Sequence, residues 1–241
     1  MKLLLISNST MPGEAYLDYP KQEIKKFLGE KPVKALFIPY AAVTFTYDEY
    51  ERKVNERFAE IGHSVVSIHH VEQPEQAVED AEAIVVGGGN TWQLVRLLHD
   101  RNLMPLIARK VKDGIPYIGW SAGSNIACPT LRTTNDMPII DPTSFATTGL
   151  VPFQINPHYL DANPDGHAGE TREQRIEEFL EVNPDVYVAG LREGTMLKLE
   201  NGRLDLIGPR TARIFKKGQK PRELAAGDDF NFLLENYSPN R

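Results

Sequence analysis

The chain has 241 residues, of which 41% are hydrophobic and 25% are charged, a composition typical of a globular protein with an ample core. Its length suits one large α/β domain, and its net charge of -6 argues against a nucleic-acid-binding surface. A single cysteine, Cys128, excludes an intrachain disulfide and favours a cytoplasmic location; we expect its thiol to be buried. The apolar run 1–6 is too short for a signal peptide, and we expect no membrane-spanning segment.

Apolar runs rich in β-branched residues alternate with helical patterns over the first two thirds of the chain. Continuous apolar runs of this kind are typical of strands that helices cover on both faces of a parallel sheet. Capping boxes that begin at Thr46 and Thr171 predict two helices, and residues 103–113 predict a third. The predicted strands are 3–7, 33–39, 64–68, 83–86, 116–119 and 186–191.

The last part of the chain has a different character. Residues 196–200 and 203–207 flank Asn201-Gly202, a strong signal for a two-residue hairpin turn, and 213–216 is predicted to add a third antiparallel strand. Residues 228–241 are predicted to form a loose or helical tail. The sequence therefore predicts a single α/β domain over 1–241, with a mostly parallel central sheet, helices on both faces and a C-terminal antiparallel hairpin.

The motif G-W-S-A-G at 119–123 follows one of these strands and precedes a run of small residues. G-x-S-x-G between a strand and a helix is the pattern of a nucleophile elbow, in which a strained turn lifts the serine hydroxyl out of the sheet. Ser121 is therefore the candidate nucleophile. The helix N-terminus beside it favours the negative charge that develops during acyl transfer.

Three further loops follow predicted strands, and ligands of open parallel sheets bind at the carboxyl ends of strands. The glycine run 87–89 fits neither the dinucleotide fingerprint nor a P-loop, so we expect an oxyanion hole formed by the N–H groups of Gly89 and Ala122. His158 follows an alternating run and is the candidate base. Glu193 follows strand 186–191 and could orient the imidazole.

The other histidines are weaker candidates for the base. His69 and His70 are expected on a strand edge with their side chains on opposite faces, which also makes them a poor metal pair. His63 and His99 are expected at helix ends among surface residues. His167, in a loop rich in glycine and proline, is the main competitor of His158.

The chain closely resembles the peptidase E family of α-aspartyl dipeptidases, serine peptidases with a class-I glutamine-amidotransferase-like fold. The resemblance extends from the first strand to about the hairpin. It implies metal-free and cofactor-free hydrolysis of dipeptides with an N-terminal aspartate, with Ser121 as nucleophile and His158 as base. The third catalytic residue is a glutamate in some relatives and an aspartate in others, and Glu193 matches the first pattern. The motifs that carry the resemblance are residues 7–10, 87–91, 119–123, 132–138, 156–158 and 169–175.

If the substrate carries an aspartyl side chain, an arginine is the cation best suited to hold it. Arg172 lies just inside a helix N-terminus and is the preferred candidate, with Arg132 as the alternative. Glu170 or Asp136 is expected to bind the substrate ammonium. Asn90, in the glycine-rich loop, is also expected to contact the substrate.

Two other functions stay open at this point. One is a cyanophycinase-like hydrolase of aspartyl–arginine polymers, and the other is a non-catalytic protein that binds a small ligand on the same fold. We expect a small peptide as the only partner, with neither nucleic acid nor membrane. The oligomeric state stays open between a monomer and a homodimer.

Overall fold

The computed structural model describes residues 1–163, 165–166 and 168–235. Its main sheet has seven strands: β1 (Leu3–Ile6), β2 (Lys34–Ile38), β3 (Ser64–Ser67), β4 (Ile84–Val86), β5 (Tyr117–Trp120), β8 (Met196–Glu200) and β9 (Arg203–Ile207). Their order is β3-β2-β4-β5-β1-β8-β9. The first five are parallel, whereas β8 runs antiparallel to β1 and pairs with β9. The mostly parallel sheet and the C-terminal hairpin are both confirmed.

Seven helices connect or follow these strands in the described part of the chain. Both predicted capping boxes are formed: Thr46 and Thr171 each accept from the backbone N–H three residues on, and that residue's side chain returns the bond. The helices are α1 (Lys21–Leu28), α2 (Tyr47–Ala59), α3 (Pro74–Glu79), α4 (Thr91–Asp100), α5 (Leu103–Lys112), α6 (Ala122–Asn125) and α7 (Arg172–Val182). None of the described helices is long and apolar enough to span a membrane.

Both faces of the main sheet are buried under helices, as predicted. Successive side chains of a strand alternate between faces, so Leu3 packs in one core cluster and Leu4 in the other. The first cluster includes residues of α4 and α5, and the second includes residues of α1 and α2. Cys128 is fully buried in the first cluster, and this burial raises the pKa of its thiol to about 12.

A second sheet holds two strands, at 186–191 and 213–216, for which the sequence pattern predicted other partners. It consists of β6 (Gln154–Asn156), β7 (Val188–Leu191), β10 (Ala212–Phe215) and β11 (Arg222–Leu224), in the order β11-β10-β7-β6. Run 186–191 was expected in the main parallel sheet, but β7 pairs parallel with β6 and antiparallel with β10. Run 213–216 was expected beside the hairpin, but β10 joins this second sheet instead. An apolar run indicates burial and not the partner strand, which tertiary packing selects.

The end of the described chain is docked on the core. Asn231–Leu234 form one 3-10 turn, and Phe230 and Leu233 are buried in the large core cluster. The predicted tail therefore starts as ordered structure, while its residues 236–241 lie outside the described part.

An ion-pair network anchors the second sheet behind the loop that carries Glu193. Arg192, at the end of β7, contacts Asp161 and donates to Glu223 at 2.8 Å. The hydrogen bonds from Arg192, with smaller contributions from Thr211 and Arg213, lower the pKa of Glu223 to about 2.

We expect Glu223→Gln to destabilise the fold in a pH-dependent way. Because the folded-state pKa is depressed, the ionised Glu223 stabilises the protein above the pKa of its unfolded form, and this stabilisation disappears as the pH falls toward 2. After allowance for solvent screening, the loss at pH 7 should be about 1–2 kcal/mol, falling by about half or more at pH 3. Urea unfolding at both pH values measures it. Glu30→Gln, at a side chain 89% exposed, is the control. A deficit that does not change with pH would contradict the prediction.

Candidate active site

The backbone at Ser121 forms a sharp turn between β5 and α6. Ser121 has φ 52° and ψ -111°, a conformation that residues other than glycine rarely adopt and that stores strain. A Cβ atom on Gly119 would lie 2.4 Å from the Gly123 carbonyl oxygen, and one on Gly123 would lie 2.2 Å from that of Val86. Both flanking positions therefore require glycine, which explains the G-x-S-x-G pattern. The helix that follows is a single turn.

A chain of two polar contacts links three side chains that the sequence singled out. Ser121 Oγ lies 3.1 Å from His158 Nε2, and His158 Nδ1 lies 2.7 Å from Glu193 Oε1. A carboxylate only accepts hydrogen bonds, so the ring proton belongs on Nδ1 and Nε2 faces the hydroxyl as an acceptor. This is the protonation state in which an imidazole can remove the hydroxyl proton.

Two residues after β1 hold the loops that carry His158 and Glu193. Ser7 Oγ accepts the His158 N–H at 3.0 Å and donates to the Leu191 carbonyl at 2.8 Å. Asn8 Oδ1 accepts the Gly194 N–H at 2.9 Å. Residues 7–10 entered the sequence analysis only as part of a resemblance, with no role. The sequence does contain an indication of a role for Ser7 and Asn8, because polar residues directly after a buried strand need hydrogen-bond partners.

The glycine loop 87–89 packs directly on the elbow. A Cβ atom on Gly88 would lie 3.1 Å from Cβ of Ser121. Within the described chain, no residue accepts a hydrogen bond from the Gly89 N–H. Ala122 is the first residue of α6, a position whose N–H has no acceptor within the helix. Both N–H groups that were predicted to form an oxyanion hole are thus available beside Ser121.

Aromatic side chains that sequence reasoning missed support this loop from behind. Tyr50, on α2, donates its hydroxyl proton to the Gly88 carbonyl at 2.9 Å and accepts from Tyr16 and Trp120. Burial raises the pKa of Tyr50 to about 12, so the hydroxyl stays a donor at any physiological pH. In the sequence, Tyr50 is recognisable only as one of the apolar positions spaced along the buried face of α2.

The polar loop 132–138 cradles the segment before His158. Asn135 donates to the Pro157 carbonyl at 2.6 Å, and Asn156 donates to Asn135 Oδ1 at 2.7 Å and to the Thr133 carbonyl at 2.9 Å. The side-chain amides of Asn135 and Asn156 thus fix the backbone directly before His158.

Two residues that were predicted to bind the substrate form most of their hydrogen bonds within the protein. Asn90 caps α4 through Oδ1 and donates to the Met137 carbonyl at 2.9 Å. Asp136 Oδ2 accepts from the backbone and hydroxyl of Thr91, at 2.7 Å and 2.6 Å, and from the Thr134 hydroxyl at 3.0 Å. Its other oxygen, Oδ1, accepts no hydrogen bond from the described residues, so it can bind a ligand.

Ser121 and His158 open into a cleft of about 890 Å³ that is large enough for a dipeptide. Asp136 lines this cleft and also a smaller neighbouring pocket of about 190 Å³, where Arg132, Arg172 and Arg175 converge. Burial, and to a lesser degree repulsion from Arg175, lower the pKa of Arg172. A half-buried guanidinium of this kind favours an anionic ligand.

Glu170 does not join this group. It lines neither the cleft nor the smaller pocket, and it lies 3.8 Å from Arg175 in an exposed ion pair. Arg132 is exposed, and its guanidinium lies over the ring of Phe145. Of the four charged residues predicted to contact the substrate, Arg172 and Asp136 are therefore the best placed.

Comparison with known proteins shows the family of the chain. The family model of peptidase family S51 matches residues 3–207. The chain belongs to peptidase family S51. A peptidase E from Nostoc sp. is 55% identical over 237 residues, covering 98% of each chain. A peptidase E from Salmonella newport is 51% identical over 230 residues, covering 95% of this chain and all of the relative.

Solved structures share the fold of this S51 peptidase at low sequence identity. A peptidase from an acI-B1 actinobacterium has a TM-score of 0.68 at 18% identity, covering 95% of this chain and 96% of its own. A Listeria monocytogenes structure has a TM-score of 0.64 at 20% identity, covering 86% of this chain and 98% of its own. At these identities the likeness concerns the fold alone.

The remaining histidines of the S51 chain differ from expectation at two places. His69 and His70 were expected on opposite faces of a strand, which is wrong: Ile68–His70 form a 3-10 turn, and the two ring centroids are 3.8 Å apart. His63 is buried and accepts the Val33 N–H, rather than lying among surface residues. His167 lies outside the described residues.

We expect Ser7→Ala to lower kcat of the S51 peptidase by about tenfold or more with a smaller change in KM. The variant removes the acceptor of the His158 N–H, so the imidazole is held less accurately against Ser121, and such losses cost about 1–3 kcal/mol. Steady-state kinetics measure it. Ser64→Ala, on edge strand β3, is the matched control. Equal kcat values for the two variants would remove Ser7 from the positioning role.

Proposed function

We propose that this S51 peptidase hydrolyses dipeptides with an N-terminal aspartate, through an aspartyl-enzyme intermediate on Ser121. The observation that carries the proposal is the pair of contacts from Ser121 Oγ to His158 Nε2 at 3.1 Å and from His158 Nδ1 to Glu193 at 2.7 Å. Relatives named peptidase E, more than half identical over nearly the whole chain, support the same reaction class.

The first half of the reaction forms the acyl-enzyme. Ser121 Oγ attacks the carbonyl carbon of the aspartyl residue while His158 Nε2 removes the hydroxyl proton. Glu193 stabilises the imidazolium, and the N–H groups of Gly89 and Ala122 bind the oxyanion of the tetrahedral intermediate. His158 then gives its proton to the departing amine, and the peptide bond breaks.

The second half releases aspartate. A water molecule takes the place of the departed amine, His158 removes one of its protons, and the resulting hydroxide attacks the ester carbonyl. Collapse of the second tetrahedral intermediate breaks the bond to Ser121 Oγ, which recovers its proton from the imidazolium. No step requires a metal ion or an organic cofactor.

Two charged groups are proposed to select the N-terminal aspartate. Arg172 would bind the substrate's side-chain carboxylate, because it is a half-buried cation in the small pocket beside the cleft. Asp136 would bind the ammonium through Oδ1, because Asp136 lines both the cleft and the small pocket. Its Oδ2 is held by Thr91 and Thr134, so the side chain is already oriented.

The other wall of the cleft suits the leaving residue. Phe45, Tyr16 and Trp120 supply apolar surface, and α2 adds two cations and two carboxylates: Arg52, Lys53, Glu49 and Glu56. Arg52 pairs with Glu56 at 3.5 Å, whereas Lys53 makes no ion pair with the described residues. A free C-terminal carboxylate next to the scissile bond would therefore be drawn to Lys53. The proposal also includes a cytoplasmic location, a small peptide as the only partner, and no nucleic-acid or membrane partner. It is compatible with a monomer or a homodimer.

A panel of X-Leu dipeptides tests the proposal. We expect Asp-Leu to be hydrolysed with a kcat/KM at least about a hundredfold above Glu-Leu, Asn-Leu and Ala-Leu, because each of these misplaces or lacks the carboxylate. Ser121→Ala should lower kcat by about 10³-fold or more. An aspartyl–arginine polymer is included to detect the alternative hydrolase. If wild type cleaves none of the dipeptides, or cleaves only the polymer, the proposal is wrong.

Arg172→Ala should raise KM for Asp-Leu by about 10- to 100-fold, since a charge-assisted hydrogen bond contributes about 1.5–3 kcal/mol. Arg203→Ala is the control, because Arg203 is 68% exposed, pairs with Asp205 and lines neither the cleft nor the small pocket. We expect its KM to change less than about threefold. Similar KM increases in both variants, or none in Arg172→Ala, would exclude Arg172 as the specific carboxylate ligand.

A further inference from the structure

Four side chains of metal-binding types meet where the start of α2 contacts the end of β3. Asp48 and Glu51 lie three residues apart on α2 and so share a face. His69 and His70 belong to the 3-10 turn that follows β3. One ligand atom from each of the four residues lies within 4.8 Å of all the others. None of the four lines the cleft that contains Ser121.

The spacing of these atoms suits a shared cation. His70 Nε2 lies 2.7 Å from Glu51 Oε2, and Asp48 Oδ1 lies 3.0 Å from His69 Nε2 and 3.3 Å from His70 Nε2. Ligand atoms of a tetrahedral zinc site, each about 2.1 Å from the ion, lie roughly 3.4 Å apart. Small side-chain shifts would therefore convert the cluster into a coordination sphere.

Contacts behind two of the four residues already direct their free atoms toward the other two. His69 Nδ1 lies 2.5 Å from Ser67 Oγ, which leaves Nε2 directed at Asp48. Glu51 Oε1 accepts the Ser67 N–H at 2.6 Å, which leaves Oε2 beside His70. Such outer contacts fix the orientation of histidine and carboxylate ligands in metal sites.

We infer that Asp48, Glu51, His69 and His70 form a binding site for a divalent first-row metal ion, with Zn²⁺ as the best match. Two imidazoles and two carboxylates are a donor set that zinc accepts in four-coordinate geometry. The alternative is a set of hydrogen bonds in which imidazole N–H groups donate to the two carboxylates. That arrangement predicts no stoichiometric metal binding.

The ion would act as a structural clamp and not in the peptidase reaction. It joins α2 to the turn after β3, while Glu49 and Lys53 on the same helix line the cleft. Bound metal would thus hold that wall of the cleft in place without touching the substrate. The clamp does not rest on the proposed dipeptidase activity.

Metal binding to the chelator-treated, full-length protein tests the inference. We expect calorimetry to show one Zn²⁺ per chain with a dissociation constant of micromolar or tighter, and Co²⁺ to show the visible absorption of a four-coordinate nitrogen–oxygen site. Zn²⁺ at about a hundred times that dissociation constant should raise Tm by about 5–10 °C. Far-ultraviolet circular dichroism of the metal-free protein provides an independent check that it is folded.

Matched variants separate this site from adventitious binding. His69→Gln/His70→Gln should abolish stoichiometric binding and the Tm shift, whereas His99→Gln, on α4, should leave both unchanged. Should the double variant misfold, Asp48→Asn gives the same readout at a side chain that is 74% exposed, with an expected affinity loss of tenfold or more. Millimolar binding by wild type, or equal binding by wild type and these variants, would overturn the inference.

Discussion

The positive φ of Ser121 is the constraint on which the rest of the site depends. Such a conformation costs about 1–3 kcal/mol in a residue other than glycine, so surrounding contacts must maintain it. They do so through close backbone packing of Gly123 against Val86. The Ser124 hydroxyl adds contacts to the Ile6 and Gly119 carbonyls at 2.7 Å and 2.9 Å. The turn that carries Ser121, the proposed nucleophile, is thereby held against β4, β5 and β1 of the main sheet.

The proposed base and orienting acid follow strands of a different sheet, so the contacts between the two sheets determine the geometry of the site. His158 follows β6 and Glu193 follows β7, whereas Ser121 follows β5. Ser7, directly after β1, contacts both the His158 N–H and the end of β7. Ser7 and Asn8, just after β1, thus help to set the distance between a hydroxyl and an imidazole that follow strands of separate sheets. Residues that never contact substrate can in this way control the rate of the chemical step.

Local chemistry explains which features were predictable from the sequence. The elbow and both capping boxes depend on residues within a few positions of each other, so their pattern survives in any context. The second sheet depends on partners far apart in the chain, and run 186–191 carries no information about them. The 3-10 turn Ile68–His70 was not predicted, because the β-branched residues before it made the strand seem to continue into the turn. Ser121, His158 and Glu193 were found together because each follows a strand, whichever sheet that strand joins.

The two acids near the site have environments that fit different tasks. Glu193 is 2.7 Å from the imidazole, and its backbone neighbour Gly194 is fixed by Asn8. Asp136 instead accepts three hydrogen bonds at the N-terminus of α4, where the helix dipole favours negative charge. The three donors hold Oδ2 of Asp136 and leave Oδ1 without a hydrogen bond from the described residues. Contact with the imidazole is thus made by Glu193, and the free oxygen of Asp136 fits the proposed role of binding the substrate ammonium.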